Sequence, residues 1–166
     1  MQNNIAAKYG IMAGVGVVAY FLLFYMANVR LFFSPFVAWG VLVVYIAAMA
    51  KAAADQRKLQ GDFPFKDALR TAFLTFAIAS LTYHVFVYLL YNVFDPELVE
   101  VQKEILFEQM TAMAKRFELT DLKEQIKDFA SQDFRVTLRN SSMALGQSLI
   151  GGFILSLGIA ALMRNQ

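Results

Sequence analysis

The sequence predicts an all-α integral membrane protein with four transmembrane helices and an amphipathic helical extracytoplasmic loop between helices three and four. Three observations predict it. The chain is 58% hydrophobic and 17% charged over 166 residues, against about 25% charged in ordinary soluble domains. Its apolar residues gather into uncharged runs at 9–29, 31–50, 71–94 and 140–163, each about the 20 residues that carry a helix across roughly 30 Å of hydrocarbon. The runs also lack the alternation of barrel strands, so helices are left to satisfy the backbone inside lipid.

The first span, near 9–29, is too long for the apolar core of a signal peptide. Tyr25 and Met26 before Ala27 also make a poor small-residue cleavage site, so it is expected to be retained. The second span, near 32–50, has Pro35 close to its start. The third runs over 71–94 and the fourth over 138–163, all within one domain of residues 1–166. Lys and Arg set the orientation. Lys51, Arg57, Lys58, Lys66 and Arg70 fall between spans two and three, and Lys8 and Arg164 flank the chain ends. The short loop on the opposite side carries Arg30. In the long loop the basic residues are diluted by acids from Asp95 to Asp133, although Arg135 and Arg139 before span four weaken the asymmetry. Both termini are therefore expected on the cytoplasmic side.

The long loop, 96–135, has helical patterning. Pro96 suits a first turn, and Glu97, Glu100 and Glu104 suit a helix N-terminus. Leu98, Val101, Ile105, Met110 and Met113 belong to an apolar half-wheel, with charges on the other half. Thr120 and Asp121 look like the cap of a second helix with Leu122, Ile126, Phe129 and Ala130 on its stripe. Two such helices can lie on the bilayer, cover the bundle or bind a partner.

Small residues mark the expected helix contacts. Ala144, Ser148, Gly152, Ser156 and Ala160 recur every fourth residue in span four, and Gly10 and Gly14 share that spacing in span one. Such faces let backbones approach closely where lipid supplies no hydrophobic drive. The polar features concentrate in span three. At 100° per residue Ser80, His84, Tyr88, Tyr91 and Asp95 share one face. His84 is about ten residues, or roughly 15 Å, from the outer end of its span, and Gln147 is roughly 10 Å deep in span four. Gln147 or Ser148 is thus expected to hydrogen-bond His84 and so join the helices. A proton or ion relay is the alternative, since histidine titrates near physiological pH, but the other spans offer no Asp, Glu, Lys or Arg for further steps.

Much chemistry is not expected. The chain has no cysteine and 1 histidine, which leaves neither thiol chemistry nor a two-histidine metal site. It has no P-loop, no dinucleotide fingerprint and no nucleophile–base constellation, so no catalytic residue and no cofactor are expected. A net charge of +2 without a basic patch gives no nucleic-acid partner. Membrane lipids are the expected surroundings, with further copies of the chain or another membrane protein as partner.

"GDFPFKDALRTAFLTFAIAS" followed by "YNVFDPEL" resembles a family of small four-span inner-membrane proteins of Bacteroidetes-type bacteria, domain of unknown function 4199. The order of features carries the resemblance: a glycine-bearing first span, a second span, a Gly-aromatic-Phe-Lys entry to span three, Tyr-Asn-x-x-Asp-Pro-Glu at its exit, a helical loop and a glycine-rich last span. It implies residence in a bacterial inner membrane and an accessory role in envelope or lipid-linked sugar chemistry, and it supplies no catalytic residues. The expected function is a non-enzymatic scaffold or accessory subunit of a membrane complex. The alternative is a small pore or transporter using the His84 stripe.

Overall fold

The computed structural model describes residues 2–116 and 134–163, and every regular element among them is helical. In chain order these are α1 (Gln2–Ala27), α2 (Val29–Phe32), α3 (Pro35–Gln60), α4 (Phe65–Leu89) leading into a π-helical turn (Leu90–Phe94), α5 (Leu98–Arg116) and α6 (Leu138–Met163). Four stretches are long and apolar enough to cross a membrane: Asn4–Ala27, Pro35–Gln60, Phe65–Phe94 and Leu138–Met163. They are the four expected spans, and the last has the expected bounds.

The other bounds differ where helix and hydrocarbon end at different places. α3 continues beyond its apolar run to Gln60. Ala52, Ala53 and Ala54 are strong helix formers, and Asp55 pairs one turn away with Lys51 at 3.8 Å and Lys58 at 3.7 Å. The helix stops at Gly61, whose φ of 73° suits a residue without Cβ and whose N–H bonds to the Arg57 carbonyl at 3.1 Å. α4 begins at Phe65, directly after Pro64, whose carbonyl receives the Asp67 and Ala68 amides. The basic connection between spans two and three is therefore mostly helix. On the other side, Asn28 caps the short α2 by accepting the Arg30 amide at 2.8 Å, and Pro35 occupies the first turn of α3.

The chain forms two compact units, one of Met1–Phe86 with Arg139–Gln166, the other of Val87–Leu138. In the first, α4 presents the buried face Ala68, Thr71, Ala72, Thr75, Phe76, Ala79 and Ser80. α1 meets α4 through glycines. A Cβ on Gly10 would lie 2.8 Å from Ile78 Cβ, and one on Gly14 would lie 2.7 Å from Thr82 Cβ. α6 meets it at Gly152, which lies against the Phe76 ring so closely that a Cβ would overlap it. α3 reaches the same ring through Tyr45, edge-on with centroids 5.0 Å apart. Phe21 of α1 stacks on Tyr83 at 5.0 Å, and Phe153 of α6 meets Phe73 at 5.7 Å.

The distribution of side chains is that of a protein solvated by lipid. Thr71, Thr75, Ser80 and Ser156 are buried, whereas Phe36, Trp39, Leu23 and Ile150 are exposed. An apolar exterior on this scale marks a membrane-facing surface. Three of the inward hydroxyls are satisfied locally: Thr75, Thr82 and Ser156 each donate to the carbonyl four residues back in their own helix.

In the second unit, the Asp95 amide reaches the Leu90 carbonyl at 2.7 Å, five residues back, and closes the π turn. The Asn92 side-chain amide donates to the Tyr88 carbonyl at 2.8 Å and to the Val136 carbonyl at 2.9 Å, tying the turn to the irregular segment that leads into α6. Pro96 and Glu97 form a turn and α5 starts at Leu98, which is buried with Ile105. Met113, on the apolar half of the wheel, is 56% exposed. The helix expected from Thr120 lies outside the described residues.

The glycine contacts predict a position-specific effect of bulk. Gly14→Val and Gly152→Leu force helices apart and lower the melting temperature in detergent by several degrees or abolish folding. Gly16→Ala, with nothing among the described residues within 4 Å of the added carbon, leaves melting unchanged or slightly raised.

Candidate functional site

The polar interior of the first unit is built on α4 where its face turns from Phe76 and Ala79 to Ser80. The Ser80 hydroxyl lies 2.9 Å from the Ser148 hydroxyl of α6, a hydrogen bond in which either oxygen can donate. His84 stands one turn further along α4. Its Nδ1 is 2.8 Å from the Ser80 carbonyl and 3.4 Å from the Ser80 hydroxyl. A carbonyl oxygen only accepts, so Nδ1 carries a proton; in the uncharged ring that leaves Nε2 as the acceptor. The direct bond expected between His84 and Gln147 or Ser148 does not form. Ser80 makes the interhelical bond instead, and the half-buried imidazole stays bonded to its own helix. The Tyr83 ring packs edge-on against it at 5.5 Å.

Ser80 and His84 sit one turn apart on α4, with Ser148 of α6 against Ser80, and Tyr88 follows one turn further along the same helix. The π turn interrupts the 100° progression on which the stripe depends, and within it Tyr91 is buried. Gln147 is exposed on α6. Of the small residues in the four-residue repeat, Gly152, Ser156 and Ala160 are buried, Ser148 is half-buried and Ala144 is exposed. Gly10 and Gly14 are buried against α4.

Sequence reasoning missed a second cluster. The Tyr9 hydroxyl of α1 donates to Asp55 Oδ2 of α3, a charge-assisted bond across the helix pair. Lys51 and Lys58 flank the carboxylate with side chains 60% and 75% exposed, so solvent screens both pairs. The spacing of Lys51, Asp55 and Lys58 is visible in the chain, but the long-range partner Tyr9 carries no local signal. Nearby on α3, Gln56 is 2% exposed, and its Oε1 has no partner among the described residues. The Tyr45 hydroxyl is likewise buried without one among them. Among the described residues, no three His, Cys, Asp or Glu side chains gather where a metal ion would fit.

Four membrane-crossing helices packed through small residues define a multi-pass helical membrane protein. The chain belongs to the family described as Protein of unknown function (DUF4199), whose model matches residues 8–165. Comparison with curated proteins and with solved structures finds no match.

The serine pair predicts a measurable coupling. Interhelical hydrogen bonds in membranes average about 0.6 kcal/mol, with a maximum near 1.7 kcal/mol. Ser80→Ala and Ser148→Ala should each destabilise the bundle by about that much, and the double variant by no more than either alone, as a double-mutant cycle in detergent would read. Equal and additive costs would mean that the hydroxyls do not interact. His84→Gln should cost less than either serine change, because it removes no interhelical bond.

Proposed function

We propose that the chain is a non-enzymatic scaffold or accessory subunit of a membrane complex. The supporting observation is the state of α5. This helix lies outside the membrane-crossing stretches and buries Leu98 and Ile105. It nevertheless leaves Phe107 42% and Met113 56% exposed beside the charged Glu104 and Glu108. A folded helix with spare apolar surface and a charged border has the make-up of a docking element. The resemblance in sequence directs the search for its partner to envelope and lipid-linked sugar metabolism.

The same proposal places the chain in a bacterial inner membrane with both termini cytoplasmic, on the Lys and Arg asymmetry. The chain has no cysteine, so single introduced cysteines report sidedness cleanly. Gln60→Cys should react with an impermeant maleimide only from the cytoplasmic side, and Glu108→Cys only from the other. Reaction of both from one side overturns the orientation.

The docking role is tested by crosslinking in membranes followed by purification in mild detergent. A partner should be recovered in fixed stoichiometry with the native chain and lost with Phe107→Asp and Met113→Asp, while both variants keep native melting. Full retention of that partner by the variants would remove α5 as the docking element. A chain recovered without any other protein would remove the accessory role.

A further inference from the structure

α6 has a second face. Ala144, Gln147, Gly151, Ile154, Gly158 and Ala161 follow one another at intervals alternating between three and four residues, and all are exposed. This is the 3.5-residue seam on which two helices wind around each other left-handedly. It is distinct from the inner face, where Gly152, Ser156 and Ala160 are buried. Among the described residues nothing lies within 4 Å of a Cβ built on Gly151 or Gly158, so the described helices do not use these glycines against one another. α6 is also the least enclosed span: 22% of its most apolar window is buried, against 28%, 33% and 28% for the other three.

Gln147 identifies the occupant. It lies eight residues, about 12 Å, inward from Arg139 and so within the hydrocarbon. Its exposed amide has no partner among the described residues, a costly position in lipid. Acyl chains offer it nothing. A second copy inserted in the same orientation brings its own Gln147 to the same depth, and an amide both donates and accepts. About a two-fold axis, each of the two amides can donate to the other.

We infer that a second copy of this chain packs parallel along the outer face of α6, with the two Gln147 amides paired and Gly151 and Gly158 admitting the close approach. The inference rests on the membrane-spanning reading and adds self-association to the scaffold proposed above. Partner docking on α5 is a separate surface, so either can fail alone.

The test is oxidative crosslinking of single cysteines in native membranes. Dimer yield should peak at Gly151→Cys, Ile154→Cys, Gly158→Cys and Ala161→Cys, and fall several-fold at Phe153→Cys, which is exposed off the seam, and at the buried Ile159→Cys. A flat profile, a maximum at Phe153, or crosslinks solely to another protein would overturn the inference. As a second measurement, the native chain in mild detergent should have twice the 18.7 kDa chain mass. Gly151→Ile with Gly158→Ile should keep native helicity and insertion yet run as a single chain, and Gln147→Leu should shift the equilibrium the same way. If the double isoleucine variant crosslinks from Ala161→Cys as well as the native sequence does, the seam is wrong, whatever the outcome for α5.

Discussion

The approach of α1 and α6 to the face of α4 is the constraint on which the bundle depends. In water, burying apolar surface would hold these helices together. In lipid that drive is absent, and association rests on dispersion and a few hydrogen bonds. Dispersion falls off steeply with small gaps, so backbones must come close, and a helix can do so where a side chain is missing. Gly10, Gly14 and Gly152 are the positions where it is missing. Phe76 then serves two neighbours at once, with Gly152 of α6 against its ring and the Tyr45 ring of α3 against its edge. Altering any of these contacts therefore disturbs more than one helix.

Polar groups add rather little to this cohesion. Thr75, Thr82 and Ser156 return their hydroxyl protons to their own helices, and His84 does the same with its Nδ1 proton. Such bonds remove the penalty of bare polar atoms in hydrocarbon without gripping a neighbour. Ser80 with Ser148, and Tyr9 with Asp55, do cross between helices. They sit where α4 meets α6 and where α1 meets α3, so they set register at two contacts whose strength comes from packing.

Run length and charge make the four spans visible in the sequence, because an uncharged run of about 20 residues matches the thickness of hydrocarbon and is seldom found in a helix that faces water. The bounds of α6 are readable because its apolar run and its helix end together. Those of α3 are not, because the polar turns from Lys51 to Gln60 are held by alanines and by pairs around Asp55, which hydropathy does not register. The π turn is hidden for a different reason. Leu90–Phe94 has no composition to distinguish it from ordinary helix, yet it breaks the progression that would join Ser80 to Tyr91 and Asp95. Depth arithmetic brings Ser148 near the height of the polar step in α4. It cannot separate His84 from Ser80, since that choice depends on side-chain direction over the preceding turn.

The small residues of α6 carry two periods at once, and this is why Ala144 keeps the spacing of the inner face yet lies on the outer one. Counted by fours, Ala144 leads into Ser148 and Gly152. Counted by alternating threes and fours, it leads into Gln147 and Gly151. Rows i±4 and the 3.5-residue seam diverge along a helix, so a residue near one end can belong to either. The structure separates them by what each meets: Gly152 meets the Phe76 ring, while Gly151 meets nothing within 4 Å among the described residues. One helix thus folds the bundle with one face and, among the described residues, leaves the glycines of the other without a neighbour. Substitutions at Gly151 and Gly158 can therefore report on association alone, which those at Gly152 cannot.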